Sequence, residues 1–185
     1  MKKYLVLVLI ALLIGALMVG CSSVAPEIDL SKKPSGPAGG SNTAHLYLYE
    51  KNPVTWSIVD GGAWGKMKYN LSGSNFDFVF NGHGLDAGVA YTLIYYPDKI
   101  GNPWPRLDII CLGSGIANGG GEVNIAGSVP TGTLPNPADE INGGAKIWLI
   151  LSNDELYCGE NTAQMKGWNP TEYLFEGELI TFTQK

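Results

Sequence analysis

Few side chains in this sequence offer chemistry beyond packing. They are two histidines (His45 and His83), three cysteines (Cys21, Cys111 and Cys158) and five tryptophans (Trp56, Trp64, Trp104, Trp148 and Trp168). A mononuclear copper site takes two imidazoles, a thiolate and usually a thioether. Cys111 is not followed by a histidine at the short spacing such sites use, and His83 lies in the turn sequence Asn81-Gly-His-Gly84. Neither histidine is assigned a metal, and no cofactor is expected. Asp98, Asp108, Asp154 and Glu155 could meet in a calcium site only after folding, because they lack the spacing of an EF-hand loop. The sequence contains no Gly-x-Ser-x-Gly nucleophile elbow. A glycosidase needs two facing carboxylates, and 17 scattered acids single out no pair. No catalytic residue is assigned.

The tryptophans carry the remaining signal. Trp104 lies in Asn102-Pro-Trp-Pro105, where the prolines fix the backbone, and Trp168 precedes Asn169-Pro170. A tryptophan on a rigid loop can stack on a sugar ring or anchor a protein partner. Trp104 and Trp168, with nearby Tyr95 and Tyr96, are therefore the candidate ligand contacts. The alternative is that they cap the open ends of a core. Asn70-Leu-Ser72 is a formal N-glycosylation sequon.

The N-terminus supplies an address. Met1-Lys2-Lys3 is basic, and Tyr4 to Gly20 is an uncharged, mostly apolar run ending in Leu17-Met18-Val19-Gly20-Cys21. A basic start, an apolar stretch and a small residue before the cut form a secretory signal. Cys21, directly after Gly20, resembles the lipobox of prokaryotic lipoproteins, with Met18 in a place usually filled by leucine. The resemblance implies cleavage before Cys21 and a lipid on its thiol. An uncleaved anchor is the alternative, since the run is long enough to span a bilayer. Both place the rest of the chain on the extracytoplasmic face of a membrane.

Residues 1–20 are thus expected to be a signal peptide. Residues 21–43, rich in Ser, Pro and Gly, are expected to be a flexible lipid-anchored linker, and 44–185 a single folded domain. Loss of Lys2 and Lys3 leaves ten basic against 17 acidic residues, a formal charge of −7. With no basic cluster, nucleic acid is excluded as a partner. Cys111 and Cys158, two cysteines in an exported domain, are expected to form a disulfide. A loop of this length is worth about 4 kcal/mol in the chain-entropy account. Two buried free thiols are the alternative.

The elements that must position these residues read as strands. Phe76, Phe78 and Phe80 alternate with polar residues, and Val89, Tyr91, Leu93 and Tyr95 repeat the pattern. So do Val123, Ile125, Gly127 and Val129. Residues 146–151 are apolar on both faces, which predicts a sheet centre or cover by a loop. Further strands are expected over 45–50, 55–59, 65–71, 107–112 and around Tyr173–Leu179. Asp60-Gly61, Asn81-Gly82, Asn118-Gly119 and Asn142-Gly143 read as turns. The expectation is an all-β chain, an antiparallel sandwich of eight or nine strands.

Leu85-Asp-Ala-Gly88-Val-Ala-Tyr91-Thr-Leu93 resembles the tyrosine corner of fibronectin type III and other immunoglobulin-like domains. That resemblance implies an immunoglobulin-like sandwich with the Tyr91 ring inside and its hydroxyl bonded to nearby backbone. His45–Lys51, Phe80–Leu85, Tyr91–Pro97 and Gly167–Phe175 are also similar to uncharacterised domains of archaeal and bacterial surface proteins. This implies location and fold, not chemistry. The functional expectation is a membrane-anchored surface lipoprotein, used without catalysis for binding, adhesion or envelope structure. Its partner would be a surface glycan or another envelope protein. The alternatives are an enzyme acting on envelope glycan and a cupredoxin-like metal protein.

Overall fold

The computed structural model describes residues 41–98, 108–156, 158 and 163–184. The chain is all-β, as the alternation predicts. Its strands are β1 (Thr43–Tyr49), β2 (Trp64–Asn70), β3 (Ser72–Gly73), β4 (Asn75–His83), β5 (Ala90–Tyr96), β6 (Ile110–Ile116), β7 (Val123–Pro130), β8 (Lys146–Leu151), β9 (Glu155–Leu156), β10 (Gln164–Met165), β11 (Leu174–Glu176) and β12 (Thr183–Gln184). Eight of them form one sheet in the order β6-β5-β8-β11-β1-β2-β4-β7. All its ladders are antiparallel. Among the described residues helix is confined to single 3-10 turns such as Ser152–Asp154 and Pro170–Glu172. Among the described residues no helix is long and apolar enough to cross a membrane.

The sheet curls until its two end strands nearly meet. Inward residues from all round it, including Leu46, Met67, Phe78, Phe80, Leu93 and Leu149, share one buried core. Glycines allow the tight curvature. A Cβ at Gly65 would overlap the Phe80 ring, so glycine there makes the slot that the ring fills. At the seam a Cβ on Gly127 would lie 2.7 Å from Phe78 Cζ and 3.2 Å from the Leu112 carbonyl. Glycine therefore lets β7 approach β6. Asn81-Gly82, expected as a turn, belongs to β4 and pairs with Lys66 and Gly65. Gly82 is there for space, because a Cβ would press on Leu85, Val123 and Phe80; the chain reverses instead at Gly84, at φ +73°.

Residues 55–59 were expected to be a strand but form part of a loop, joined to the rest by the single bridge Lys51↔Ile58. Their apolar alternation is short, and Asn52 captures the backbone in a turn before a ladder can form. The two-faced apolar pattern of 146–151 has the cause the sequence suggests. β8 lies between β5 and β11, with Ile147 and Leu149 in the barrel core. Its outward Trp148 and Ile150 join a second cluster with Ile94, Tyr96, Ala163, Met165, Tyr173 and Phe175. The segment 163–173 thus straps the outer face of the barrel. Cys111 and Cys158 lie at disulfide distance, with Cα atoms 5.5 Å apart, and tie β6 to the chain leading into this strap.

Before β5 the chain makes a local turn closed onto Tyr91. Tyr91 is buried, and its hydroxyl accepts a hydrogen bond from the Asp86 amide at 3.2 Å. Gly88 supplies the φ of +79° in the turn before it.

Candidate functional site

Strand register assembles an aromatic row on the outer face of the barrel. Trp148 pairs with Phe175, Phe175 with Tyr49, Tyr49 with Trp64, and Trp64 with His83. Opposed residues on one face lie within side-chain reach. The rings accordingly touch: Trp148 and Phe175 meet edge-on at 5.2 Å, and Trp64 and His83 lie 4.7 Å apart. Among the described residues, four buried side-chain polar atoms lack a hydrogen-bond partner. They are Tyr49 Oη, Trp64 Nε1, Trp148 Nε1 and Glu176 Oε2. Three belong to this row, and the fourth to the residue after Phe175. Buried polar groups are almost always paired in a native fold, so this concentration singles the region out.

Two loops raise tryptophans over the row. In the first, Asn52 Oδ1 accepts from the Val54 and Thr55 amides, and its carbonyl accepts from the Trp56 amide at 2.8 Å. The turn holds Trp56 at φ +57°, the single non-glycine residue with positive φ among those described. That backbone costs a bulky L-residue about 1–2 kcal/mol. It sets the Trp56 ring edge-on to Phe175 at 5.1 Å while 48% of the residue stays exposed. Observed strain of this kind points to a site.

The second loop is the strap, and Asp154 pins it. Asp154 Oδ2 accepts from the Tyr173 hydroxyl at 2.6 Å and from Asn169 Nδ2 at 2.8 Å, and its carbonyl accepts from the Lys166 and Gly167 amides. Burial, and then the bond to Asp154, push the Tyr173 phenol above its ordinary pKa, so it remains a donor. Trp168 is thereby placed 6.0 Å from Trp148 and 6.1 Å from Phe175, with 44% exposure. Tyr96 completes the wall, stacked on Trp148 at 4.0 Å.

Five of these aromatics, Trp56, Tyr96, Trp148, Trp168 and Phe175, line an open groove of about 210 Å³ together with Lys51, Lys146 and Glu176, whereas Tyr49, Trp64 and His83 continue the row beyond it. Lys51 Nζ donates to the Glu176 carbonyl at 2.8 Å. Lys146 Nζ pairs with Asp98 Oδ2 at 2.6 Å. Asp98 is fixed in turn by its amide, which donates to Glu140. Glu176 is only partly buried as a residue, yet its Oε2 is closed to water. Burial raises its carboxyl to about 7, against the pull of its own amide, Lys51, Lys146 and the indole N–H of Trp148. That N–H faces the carboxylate without completing a hydrogen bond to it. The Lys51 ammonium is held below its ordinary pKa by burial, with Glu176 opposing. The groove's lining therefore combines flat apolar rings with two lysines and a protonatable acid.

Two of the expected contacts, Trp168 and Tyr96, line the groove. Tyr95 does not: strand alternation turns it into the barrel, where it is fully buried and its hydroxyl donates to Glu140 Oε1 at 3.2 Å. The expectation for Tyr95 is thus corrected. Trp104 and Cys21 lie outside the described residues, as do residues 1–20 and most of the linker. Asn70 is engaged at both ends of its amide, donating to the Ser72 and Asn75 carbonyls and accepting from the Asp77 amide. A glycan on its nitrogen would break that turn. His45 and His83 do not converge, because His45 lies four residues along β1 from the row that holds His83, about 13 Å away.

Sequence reading missed Trp56, Trp148, Phe175, Lys51, Lys146 and Glu176. Trp148 and Phe175 carried a signal, since each lies in an apolar segment too rich for one buried face. Trp56 and Glu176 carried none. No family model, no curated protein and no solved structure matches this chain.

Proposed function

We propose that this chain is a non-catalytic binding module that takes a sugar ring into the aromatic groove. It is held at the extracytoplasmic face of a membrane by a lipid on Cys21. The observation that carries the reading is one groove flanked by two half-exposed tryptophans, Trp56 and Trp168, with the polar residues Lys51, Lys146 and Glu176 also in its lining. A pyranose has an apolar C–H face and a rim of hydroxyls. The first matches an aromatic wall and the second matches sparse polar groups. The positive φ held at Trp56 supports the same reading, since strained backbone clusters at ligand-binding sites.

The test is a glycan array probed with the wild-type protein and with Trp168→Ala and Trp56→Ala. Binding that both variants lose supports the proposal, and no binding to any glycan removes it. Mass spectrometry of the membrane form tests the anchor: a lipid on an N-terminal Cys21 is expected, and an intact 1–20 segment would rule it out.

A glycan-cleaving enzyme is the second reading, favoured by the Glu176 carboxyl near 7, the range of a general acid. Hydrolysis needs a second carboxylate across the bond. Release of reducing ends by the wild type but not by Glu176→Gln would establish it over simple binding.

The immunoglobulin-like sandwich belongs to this proposal as well. The curled sheet reads as two layers, β6-β5-β8-β11 and β1-β2-β4-β7, joined where β1 and β11 pair over two residues. The Tyr91–Asp86 bond supports it.

A further inference from the structure

We infer that the sugar this groove takes is an acidic one, a pyranose bearing a carboxylate, with its ring on the tryptophans and its charge on Lys51. The inference rests on the glycan reading above and names the class of sugar.

Charge around the groove carries it. Lys146 has a partner, Asp98, at 2.6 Å. Lys51 has none: its ammonium makes one hydrogen bond, to the neutral Glu176 carbonyl, and no carboxylate of the described residues lies within ion-pair range. An ammonium offers three donors, so Lys51 keeps two to spend. The acid nearest to balancing it is Glu176, whose carboxyl is half protonated near neutral pH. The groove thus holds more positive than negative charge.

A neutral sugar would cover Lys51 and strip its water without matching its charge, which is unfavourable. A sugar carboxylate would match it and use the spare donors in charge-assisted hydrogen bonds. The aromatic walls select a ring over a bare anion, since sulfate or phosphate has no face to stack.

Glu176 makes the binding proton-linked. Its ionised form would repel a carboxylate, whereas its protonated form removes that charge and presents an O–H. Only where Glu176 starts ionised does a proton pass from solvent to its carboxyl as the sugar binds, and no other bond changes. Mean uptake is therefore about one-tenth of a proton at pH 6 and about nine-tenths at pH 8. The charged groups facing Glu176 are Lys51 from the segment after β1 and Lys146 from β8, both favouring its ionised form in the free protein. With a carboxyl near 7, about nine-tenths of the sites are protonated at pH 6 and about one-tenth at pH 8.

The experiment is titration calorimetry on the full-length protein in detergent, with methyl glycosides of glucuronate, galacturonate and glucose, and with sodium sulfate. At least one uronide is expected to bind ten times or more tighter than the glucoside, and about ten times tighter at pH 6 than at pH 8. Lys51→Met should erase that preference, Lys51→Arg should keep it, and Glu176→Gln should flatten the pH dependence. Near-UV circular dichroism of each variant shows that it is folded. Equal binding of glucoside and uronides would overturn the acidic class while leaving the glycan reading intact. Sulfate binding as tightly as a uronide would overturn it in favour of a plain anion site. Absence of any sugar binding would overturn both.

Discussion

Trp56 offers a direct test of whether the groove is pre-formed at a cost. Its backbone at φ +57° disfavours any L-residue with a Cβ, by about 1–2 kcal/mol. Glycine escapes this but has more freedom to lose on folding, about 0.4–1 kcal/mol relative to alanine. Trp56→Gly should therefore be more stable than Trp56→Ala by about 0.5–1 kcal/mol, the reverse of the usual order. Both should fall below wild type. About half of the Trp56 surface is buried, so truncation loses about 120 Å² of apolar contact, at most about 3 kcal/mol. The edge-on contact with Phe175 adds about 1 kcal/mol. Urea unfolding followed by far-UV circular dichroism measures both variants against wild type. If alanine equals or exceeds glycine, the backbone at 56 is not strained in solution, and the argument that the loop holds its tryptophan for a ligand fails.

Other consequences are as concrete. Gly127→Ala should cost about 1–3 kcal/mol in the same assay, because its Cβ presses Phe78 and the Leu112 carbonyl at the barrel seam. Glu176 holds a proton when folded between the ordinary 4.5 and about 7, where the unfolded chain has released it. Stability should therefore fall by about 3 kcal/mol as pH rises through that window and level off above it, and Glu176→Gln should remove the slope. Thiol titration of the unfolded, unreduced protein should find neither Cys111 nor Cys158 free, and reduction should cost up to about 4 kcal/mol for a 47-residue separation. Asp154→Ala leaves the buried Tyr173 hydroxyl only its long contact to the Gly167 carbonyl at 3.5 Å, and should cost about 1–3 kcal/mol and alter the fluorescence of Trp168 on the loosened strap.

Much of the barrel was legible in the chain because its cause is local. A period of two puts Phe76, Phe78 and Phe80 on one face whatever they pack against, and two-sided apolarity at 146–151 requires cover on both sides of β8. Asn81-Gly82 misled because a glycine chosen for space looks in sequence like a glycine chosen for φ. Only the fold could tell that the Phe80 ring, the Leu85 side chain and β7 crowd position 82. Tyr95 and Tyr96 show how little decides a role. Adjacent and alike in sequence, they face opposite sides of β5, one bonded to Glu140 in the core and the other stacked on Trp148 in the groove wall.

The groove itself was not legible, because it is made by register and by loops from distant parts of the chain. Trp148, Phe175, Tyr49 and Trp64 stand in one row only because β8, β11, β1 and β2 pair in that order, with that stagger. Trp56 arrives through an asparagine-held turn, and Trp168 through a strap pinned by Asp154. The sequence by itself determined the all-β character and the alternation that sorts inward from outward residues. Tertiary structure alone decided that Glu176 would line one groove with two lysines and with the tryptophans of two separate loops. Pairing across strands is a long-range choice, and a one-residue slip would send the strand residues of the row, Trp148, Phe175, Tyr49 and Trp64, to the other face.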